Sequence, residues 1–305
     1  MQTILIRADA SSTIGTGHIM RDLVLAEQYI QSKVIFATQD LKGNLNSKIL
    51  ESGYRVQNLD SNDVHELIEV VKKLSVGMVI IDHYNIDYMF EKTLKEETDV
   101  HLMVFDDTYE KHHCDILLNH NISGDKKRYE ALVPKNCEVR CGKEYTLLRE
   151  EFIKAKKESK IITKKIKVFL AIGGSDHSNI NIDILNVLKE FENIEVDLVT
   201  TNANANLLQL ENYVEEKKWI NLNINSNCIA KLMRTSDFSI ITPSVTLNEV
   251  IFMELPFIAI KTADNQEYMY QYLVQNNYLA LDIFDIEKLK EKINFLLKQL
   301  KGVNR

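Results

Sequence analysis

The stretch Ile4-Leu5-Ile6-Arg7-Ala8-Asp9-Ala10-Ser11-Ser12-Thr13-Ile14-Gly15-Thr16-Gly17-His18-Ile19-Met20-Arg21 decides the fold of this chain. An apolar segment of strand length, Ile4-Leu5-Ile6, runs into a loop of small and polar residues. The loop ends Gly15-Thr16-Gly17-His18, and apolar residues at helical spacing follow: Ile19, Leu23, Val24, Leu25 and Ala26. Strand, glycine loop and helix in this order open a Rossmann-like unit, in which glycine permits a tight turn and close approach of backbone to ligand. His18 falls where the helix begins. The partial positive charge of a helix N-terminus disfavours an imidazolium, which suits a residue that must accept a proton near neutral pH. The same position equally suits a helix cap or a hydrogen-bonded core histidine, and the loop alone leaves both open.

The chain has 305 residues, the length of two ordinary domains. Its 45% hydrophobic and 27% charged residues are those of a soluble globular protein. Apolar runs such as Val168-Phe169-Leu170-Ala171-Ile172 are of strand length and fall far below the ~20 residues of a membrane span. The N-terminus lacks a basic segment followed by an apolar one, so no secretory signal is expected. Cys114, Cys137, Cys141 and Cys228 follow no framework spacing and are expected to be reduced thiols of a cytoplasmic protein. A formal charge of −7 argues against general nucleic-acid binding.

Short apolar strands alternate with helical patterns from end to end. In the first half strands are expected at Ile4–Asp9, Val34–Thr38, Arg55–Leu59, Met78–Asp82, His101–Phe105 and Asp115–Asn119, with helices between them such as Ile19–Ile30 and Val64–Leu74. A run of lysines after Glu151 (Lys154, Lys156, Lys157, Lys160, Lys164, Lys165) reads as a solvated connection. The alternation then restarts with strands at Lys167–Ile172, Glu195–Thr200, Ile220–Ile224, Phe238–Thr242 and Phe257–Lys261. Helices are expected at Asn179–Phe191, Leu207–Lys217, Ile229–Arg234, Thr246–Met253 and Gln266–Asn276, and a strongly amphipathic one at Asp285–Leu300. This is an α/β chain of two Rossmann-like domains, residues 1–152 and 167–284, joined by a linker at 153–166 and followed by a C-terminal helix at 285–305. Ligands of open α/β sheets bind at the carboxyl ends of the strands, so both opening loops are expected to face a cleft between the domains.

Three segments of the second half carry candidate chemistry. Gly173-Gly174-Ser175 lies between a strand and a helix, where backbone N–H groups hold phosphate oxygens, although tight strand-to-helix turns use glycine anyway. In Thr242-Pro243-Ser244-Val245-Thr246-Leu247-Asn248-Glu249, hydroxyl residues start a helix. Ser244 and Thr246 offer donors to a diphosphate, and Glu249 an acceptor for a ribose diol; a capping box of Ser244 or Thr246 with Glu249 is the structural alternative. Asp264-Asn265-Gln266-Glu267 opens another helix with side chains that bond sugar hydroxyls or amides, or that only cap it.

In the first half, Ile81-Asp82-His83-Tyr84 and Phe105-Asp106-Asp107 end strands, where binding residues sit in such sheets. The paired aspartates suit a metal or a mutual pKa shift, but a capping role is favoured for Asp107. His112-His113-Cys114-Asp115 looks metal-like, yet neighbours on an extended segment point to opposite faces, so no metal site is expected. Arg149 either reaches the cleft or pairs with Glu150 or another acid.

These segments resemble the GT-B superfamily, and within it the UDP-sugar hydrolases of pseudaminic acid biosynthesis. The likeness is carried by Arg7 to Ala26 with its Gly15-Thr16-Gly17-His18 turn, by Ile80-Ile81-Asp82-His83-Tyr84, by Phe105-Asp106-Asp107, and by His112 to Asn119. Cys137 to Gly142, Leu148-Arg149-Glu150-Glu151-Phe152, Gly173-Gly174, Asn248-Glu249 and Asn265-Gln266-Glu267 continue it, so that it spans Met1 to Ala280. The resemblance implies a GT-B fold in which the C-terminal helix crosses back to the first domain. It implies a sugar site on the first domain and a UDP site on the second. Gly173, Gly174, Ser175, Ser244, Val245 and Thr246 would hold the diphosphate, Glu249 the ribose, and backbone near Ile229 the uracil. His18 matches the catalytic base; Asp9, Gly17, Tyr84, Arg149, Asn265 and Gln266 match positions toward the sugar.

The implied reaction is metal-independent, with no cofactor: water aimed by His18 displaces UDP from the anomeric carbon. The implied partner is a small UDP-sugar, with no nucleic acid and no membrane span. A GT-B glycosyltransferase would use the same histidine on an acceptor hydroxyl, and a non-catalytic nucleotide-sugar binder would leave it structural.

Overall fold

The computed structural model describes residues 1–159 and 165–302. Lys160 and Lys164 of the lysine-rich stretch lie outside them. The chain divides into two compact units, Met1–Leu147 and Leu148–Arg305.

The first unit runs β1 (Thr3–Ala8), α1 (Gly17–Ala26), β2 (Lys33–Gln39), α2 (Asn46–Glu51), β3 (Arg55–Leu59), α3 (Val64–Leu74), β4 (Met78–Asp82), α4 (Tyr88–Thr98), β5 (His101–Phe105), β6 (Ile116–Asn119) and β7 (Glu138–Cys141). The strands form one parallel sheet in the order β3-β2-β1-β4-β5-β6-β7. Parallel strands covered on both faces must be apolar almost throughout. β1 and β4 meet that demand, and their Ile4, Leu5, Ile6, Val79 and Ile80 are wholly buried. One apolar cluster lies on each side of the sheet: Ile4, Ile6 and Phe36 pack with α1, while Leu5, Val79 and Leu102 pack with α3 and α4. Each such side chain contributes roughly 1.5–3 kcal/mol of burial.

The second unit contains α5 (Glu150–Lys157), β8 (Ile166–Ala171), α6 (Asn181–Leu188), β9 (Ile194–Thr200), α7 (Leu207–Val214), β10 (Ile220–Ile224), α8 (Ile229–Thr235), β11 (Phe238–Ile241), α9 (Val245–Phe252), β12 (Phe257–Ile260), α10 (Glu267–Gln275), β13 (Ala280–Leu281) and α11 (Ile286–Gly302). Its sheet is also parallel, in the order β10-β9-β8-β11-β12-β13. In each sheet the order reverses beside the opening strand, between β1 and β4 and between β8 and β11, and such reversals make ligand crevices at the strands' carboxyl ends.

Two sequence readings change. The expected linker at 153–166 begins inside a helix: α5 buries Phe152 and Ala155 in the second unit's core and turns its lysines outward. The C-terminal helix, expected to cross back to the first domain, commits its apolar stripe (Leu289, Ile293 and Leu296) to the second unit's core, together with Ile184 and Leu188 of α6. Three apolar residues spaced one turn apart can serve only one such core.

Candidate active site

In the first unit the loop after β1 is closed on itself. Ser11 and Gly15 exchange backbone hydrogen bonds, and the Ser11 hydroxyl accepts the N–H groups of Thr13 and Ile14. Gly15 adopts φ +87°, a conformation glycine takes without strain. The turn delivers Gly17 as the first residue of α1 and His18 as the second.

The register that pairs Ala8 with Asp82 sets the end of β4 beside the start of this loop. His18 Nδ1 meets Asp82 Oδ1 at 2.6 Å, and His18 is 7% exposed. Arg21, one turn along α1, donates Nε to Asp82 Oδ2 at 2.6 Å and Nη2 to Oδ1. Burial opposes ionisation of Asp82, but Arg21 and His18 outweigh it and hold the carboxyl well below the usual carboxylate range. A carboxylate on Nδ1 fixes the ring so that Nε2 is the nitrogen that takes up a proton. Among the described residues Nε2 has no hydrogen-bond partner.

The surroundings of this pair are polar and ordered. Tyr84 packs edge-on against His18 with ring centroids 4.9 Å apart, and its hydroxyl donates to Asp107 Oδ1 at 2.9 Å. The packing of the ring, with Asp107 beside the hydroxyl, pushes the Tyr84 phenol upward, so it stays a neutral donor. Asp107 Oδ2 also accepts from Asn121 and lies 3.5 Å from Arg21 Nη1. His120 meets Arg21 Nη1 through Nε2 at 3.3 Å, and burial followed by the Arg21 charge lowers its pKa to about 3. It is therefore a neutral acceptor.

Asp9, read as a sugar contact, is differently employed. Its carboxylate takes both Arg7 nitrogens at 2.8 and 2.7 Å, the Gln39 N–H at 2.7 Å and His83 Nε2 at 3.2 Å. The role of positioning Arg7 and the β2 end thus falls to it.

In the second unit, Gly173 follows β8 with φ +73° and nothing within 4 Å of where a Cβ would stand. The Gly174 carbonyl is held by the Thr201 hydroxyl at 2.8 Å, which turns the loop, and Ser175 is half-buried. Ser244 begins α9 without a side-chain cap, its hydroxyl 3.0 Å from that of Thr242. The capping box does not form, because Glu249 is turned to Arg149: Oε1 accepts Nη2 at 2.9 Å and Nε at 3.2 Å. Burial pushes the Glu249 carboxyl up, and Arg149 partly offsets it. Val245 and Thr246 are half-buried in the first turn of α9, and Ile229 opens α8, where the Ala230 N–H is taken by Glu151. Asn265 is exposed, while Gln266 turns back to accept the Thr262 N–H at 2.9 Å.

The structure therefore joins His18 with Tyr84 in one unit and Arg149 with Glu249 in the other. Sequence reasoning passed over Arg21, His120 and the partnership of Asp82 with His18. Position alone signalled Asp82, as the last residue of the strand beside β1. Among the described residues no group of three His, Cys, Asp or Glu gathers as a metal site. In the His-His-Cys-Asp run, His112 holds Glu91, Cys114 lies 3.7 Å from Cys137 sulfur to sulfur, and Asp115 pairs with Lys95. No described helix is long and apolar enough to cross a membrane.

No family model matches the chain. Solved structures share its fold at low identity. The spinosyn rhamnosyltransferase SpnG aligns with TM-score 0.68 at 10% identity over 98% of this chain and 92% of its own. The UDP-GlcNAc 2-epimerase from Neisseria meningitidis, bound to UDP-GlcNAc, aligns with TM-score 0.62 at 11% identity over the same shares. These place the chain in the GT-B fold. A UDP-2,4-diacetamido-2,4,6-trideoxy-β-L-altropyranose hydrolase from Campylobacter jejuni subsp. jejuni serotype O:2 is 42% identical over 275 residues, 90% of this chain and 97% of the relative. With that identity over nearly the whole of both sequences, the chain belongs to the family of UDP-2,4-diacetamido-2,4,6-trideoxy-β-L-altropyranose hydrolases.

Proposed function

We propose that this enzyme hydrolyses UDP-2,4-diacetamido-2,4,6-trideoxy-β-L-altropyranose to UDP and the free sugar, within pseudaminic acid biosynthesis, with His18 as general base. The observation that carries the reading is the His18–Asp82 pair, with Nδ1 occupied at 2.6 Å and Nε2 without a partner among the described residues. Nε2 takes a proton from water as the water oxygen bonds to the anomeric carbon. The bond from that carbon to the β-phosphate oxygen breaks, its electron pair leaves with UDP, and attack opposite the leaving group inverts the centre. Asp82 stabilises the imidazolium as it forms, and a base so placed contributes ~10²–10⁴-fold. UDP leaves readily, so a separate general acid is less necessary.

The second unit is assigned the nucleotide. Gly173, Gly174, Ser175 and the α9 start at Ser244, Val245 and Thr246 would meet the diphosphate with backbone donors, where charge grows as the bond breaks. Glu249 and backbone at Ile229 are assigned to ribose and uracil. Gly17 and Tyr84 on the first unit, and Arg149, Asn265 and Gln266 on the second, are assigned to the sugar and its acetamido groups. With the charge met by protein donors, the reaction needs no metal.

The test is UDP release from a panel of UDP-sugars, without acceptor and in EDTA, including the diacetamido-altropyranose nucleotide and UDP-GlcNAc. Release from the altropyranose compound alone is expected. No release from any compound while UDP still binds would point to a transferase or a binding protein instead.

A further inference from the structure

Asp22 stands one turn beyond His18 on α1 and is wholly buried, at 0% exposure. Neither of its carboxyl oxygens meets a nitrogen or hydroxyl donor among the described residues. A carboxylate in that condition is among the costliest groups a protein can bury. The charged group that bears most directly on it is a second carboxyl, that of Asp82. A hydrogen bond between two carboxyls needs a proton on one of them.

The surrounding charges decide which carboxyl carries it. Asp82 accepts three hydrogen bonds, two from Arg21 and one from His18, each favouring its charged form. Asp22 has none of these; burial first, and then the Asp82 charge, push it well above the ordinary carboxylate range. Of the other ionisable groups nearby, Tyr84 packs on His18 itself, while His120, which follows β6, and Asp107, which follows β5, reach the cluster through Arg21.

We propose that Asp22 is a positioning residue for the hydrolysis, a neutral carboxylic acid that donates its hydrogen bond to Asp82 and thereby limits how strongly Asp82 draws a proton onto His18. No proton leaves Asp22 during turnover. Its hydrogen bond spreads part of the Asp82 charge away from the imidazole. The inference rests on the assignment of His18 as the base.

The test compares Asp22→Asn, which keeps a neutral donor, with Asp22→Ala, which removes it. With the altropyranose nucleotide, Asp22→Ala should move the acid limb of kcat/KM up by about one pH unit and lower kcat at neutral pH several-fold, with KM unchanged. Asp22→Asn should keep the wild-type limb. A purely structural role predicts lower stability and an unmoved limb in Asp22→Ala, and that result would overturn the inference. So would an equal shift in both variants. Should Asp22→Ala not fold, infrared spectroscopy decides: the C=O stretching band of a neutral carboxylic acid should be present in the wild type at pH 7 and absent from Asp22→Asn. A wild-type spectrum without that band would equally overturn the inference. His18→Ala is measured alongside. If it retains turnover, the general-base reading has failed; if it is inactive while the Asp22→Ala limb is unmoved, only the inference about Asp22 has failed.

Discussion

Two histidine–aspartate pairs stand side by side at the carboxyl ends of β1 and β4, built from the same parts. In each, a buried aspartate is held by an arginine and a histidine: Asp82 by Arg21 and His18, Asp9 by Arg7 and His83. They differ in the second ring nitrogen. His83 gives Nε2 to Asp9 and accepts the Asn85 N–H on Nδ1 at 3.1 Å, so both nitrogens are spent on structure. His18 spends only Nδ1. A histidine next to an acid is thus no sign of catalysis by itself; His18 is set apart by an unspent nitrogen that is not among the buried orphan atoms, unlike His112 Nε2 and His120 Nδ1. Buried His112 is a third case: Glu91 lies 2.7 Å from Nδ1, while Nε2, 3.7 Å from Asp106, makes no hydrogen bond and is shut inside the protein.

The largest expected effect breaks this comparison directly. His18→Ala should lose ~10²–10⁴-fold or more in kcat while binding UDP almost as before. His83→Ala should keep near wild-type kcat but lose about 1–3 kcal/mol of stability, because Asp9 and the Asn85 N–H are left short of a partner. Steady-state rates, calorimetric UDP binding and urea melts on both variants check this, and a His83→Ala variant that is stable but inactive would invert the assignment.

A smaller effect sharpens the comparison through the third pair. Burial opposes the His112 charge, but Asp106 and Glu91 outweigh it and raise the pKa from 6.5 to about 9. A raised histidine stabilises the fold fully below its unfolded value, and that stability drains away as pH rises through the folded value. The wild type should therefore lose on the order of 2 kcal/mol between neutral pH and pH 10 that His112→Gln does not lose. Urea melts across that range should give converging curves; parallel ones would show that the His112 charge contributes nothing.

The fold was legible because parallel strands buried on both faces leave an apolar record. Arg55–Leu59, Met78–Asp82 and His101–Phe105 were read to the residue. β7 was missed, since Glu138-Val139-Arg140-Cys141 is a short polar strand at the sheet edge, paired only to β6. β13 has two residues and no pattern to read. The lysines of α5 hid a helix whose buried face is Phe152 and Ala155 alone. In the site, His18 announced itself through the glycine turn before it. Asp82 did not, because its partnership spans 64 positions of sequence and exists only once β4 lies against β1. Asp22 was given no reading at all, since one acid among the apolar residues of α1 carries no pattern. Its complete burial exists only in the folded unit.

The most direct test of the central claim is a double-mutant cycle on His18 and Asp82, following kcat for His18→Ala, Asp82→Asn and the double variant, each shown by its melt to be folded. An amide at position 82 would donate to Nδ1 and turn the ring's proton to Nε2, disabling it as a base. If the two residues act as one unit, the double variant will be no slower than the slower single variant. Losses that multiply would mean that Asp82 acts apart from His18, and the pair would not be the base.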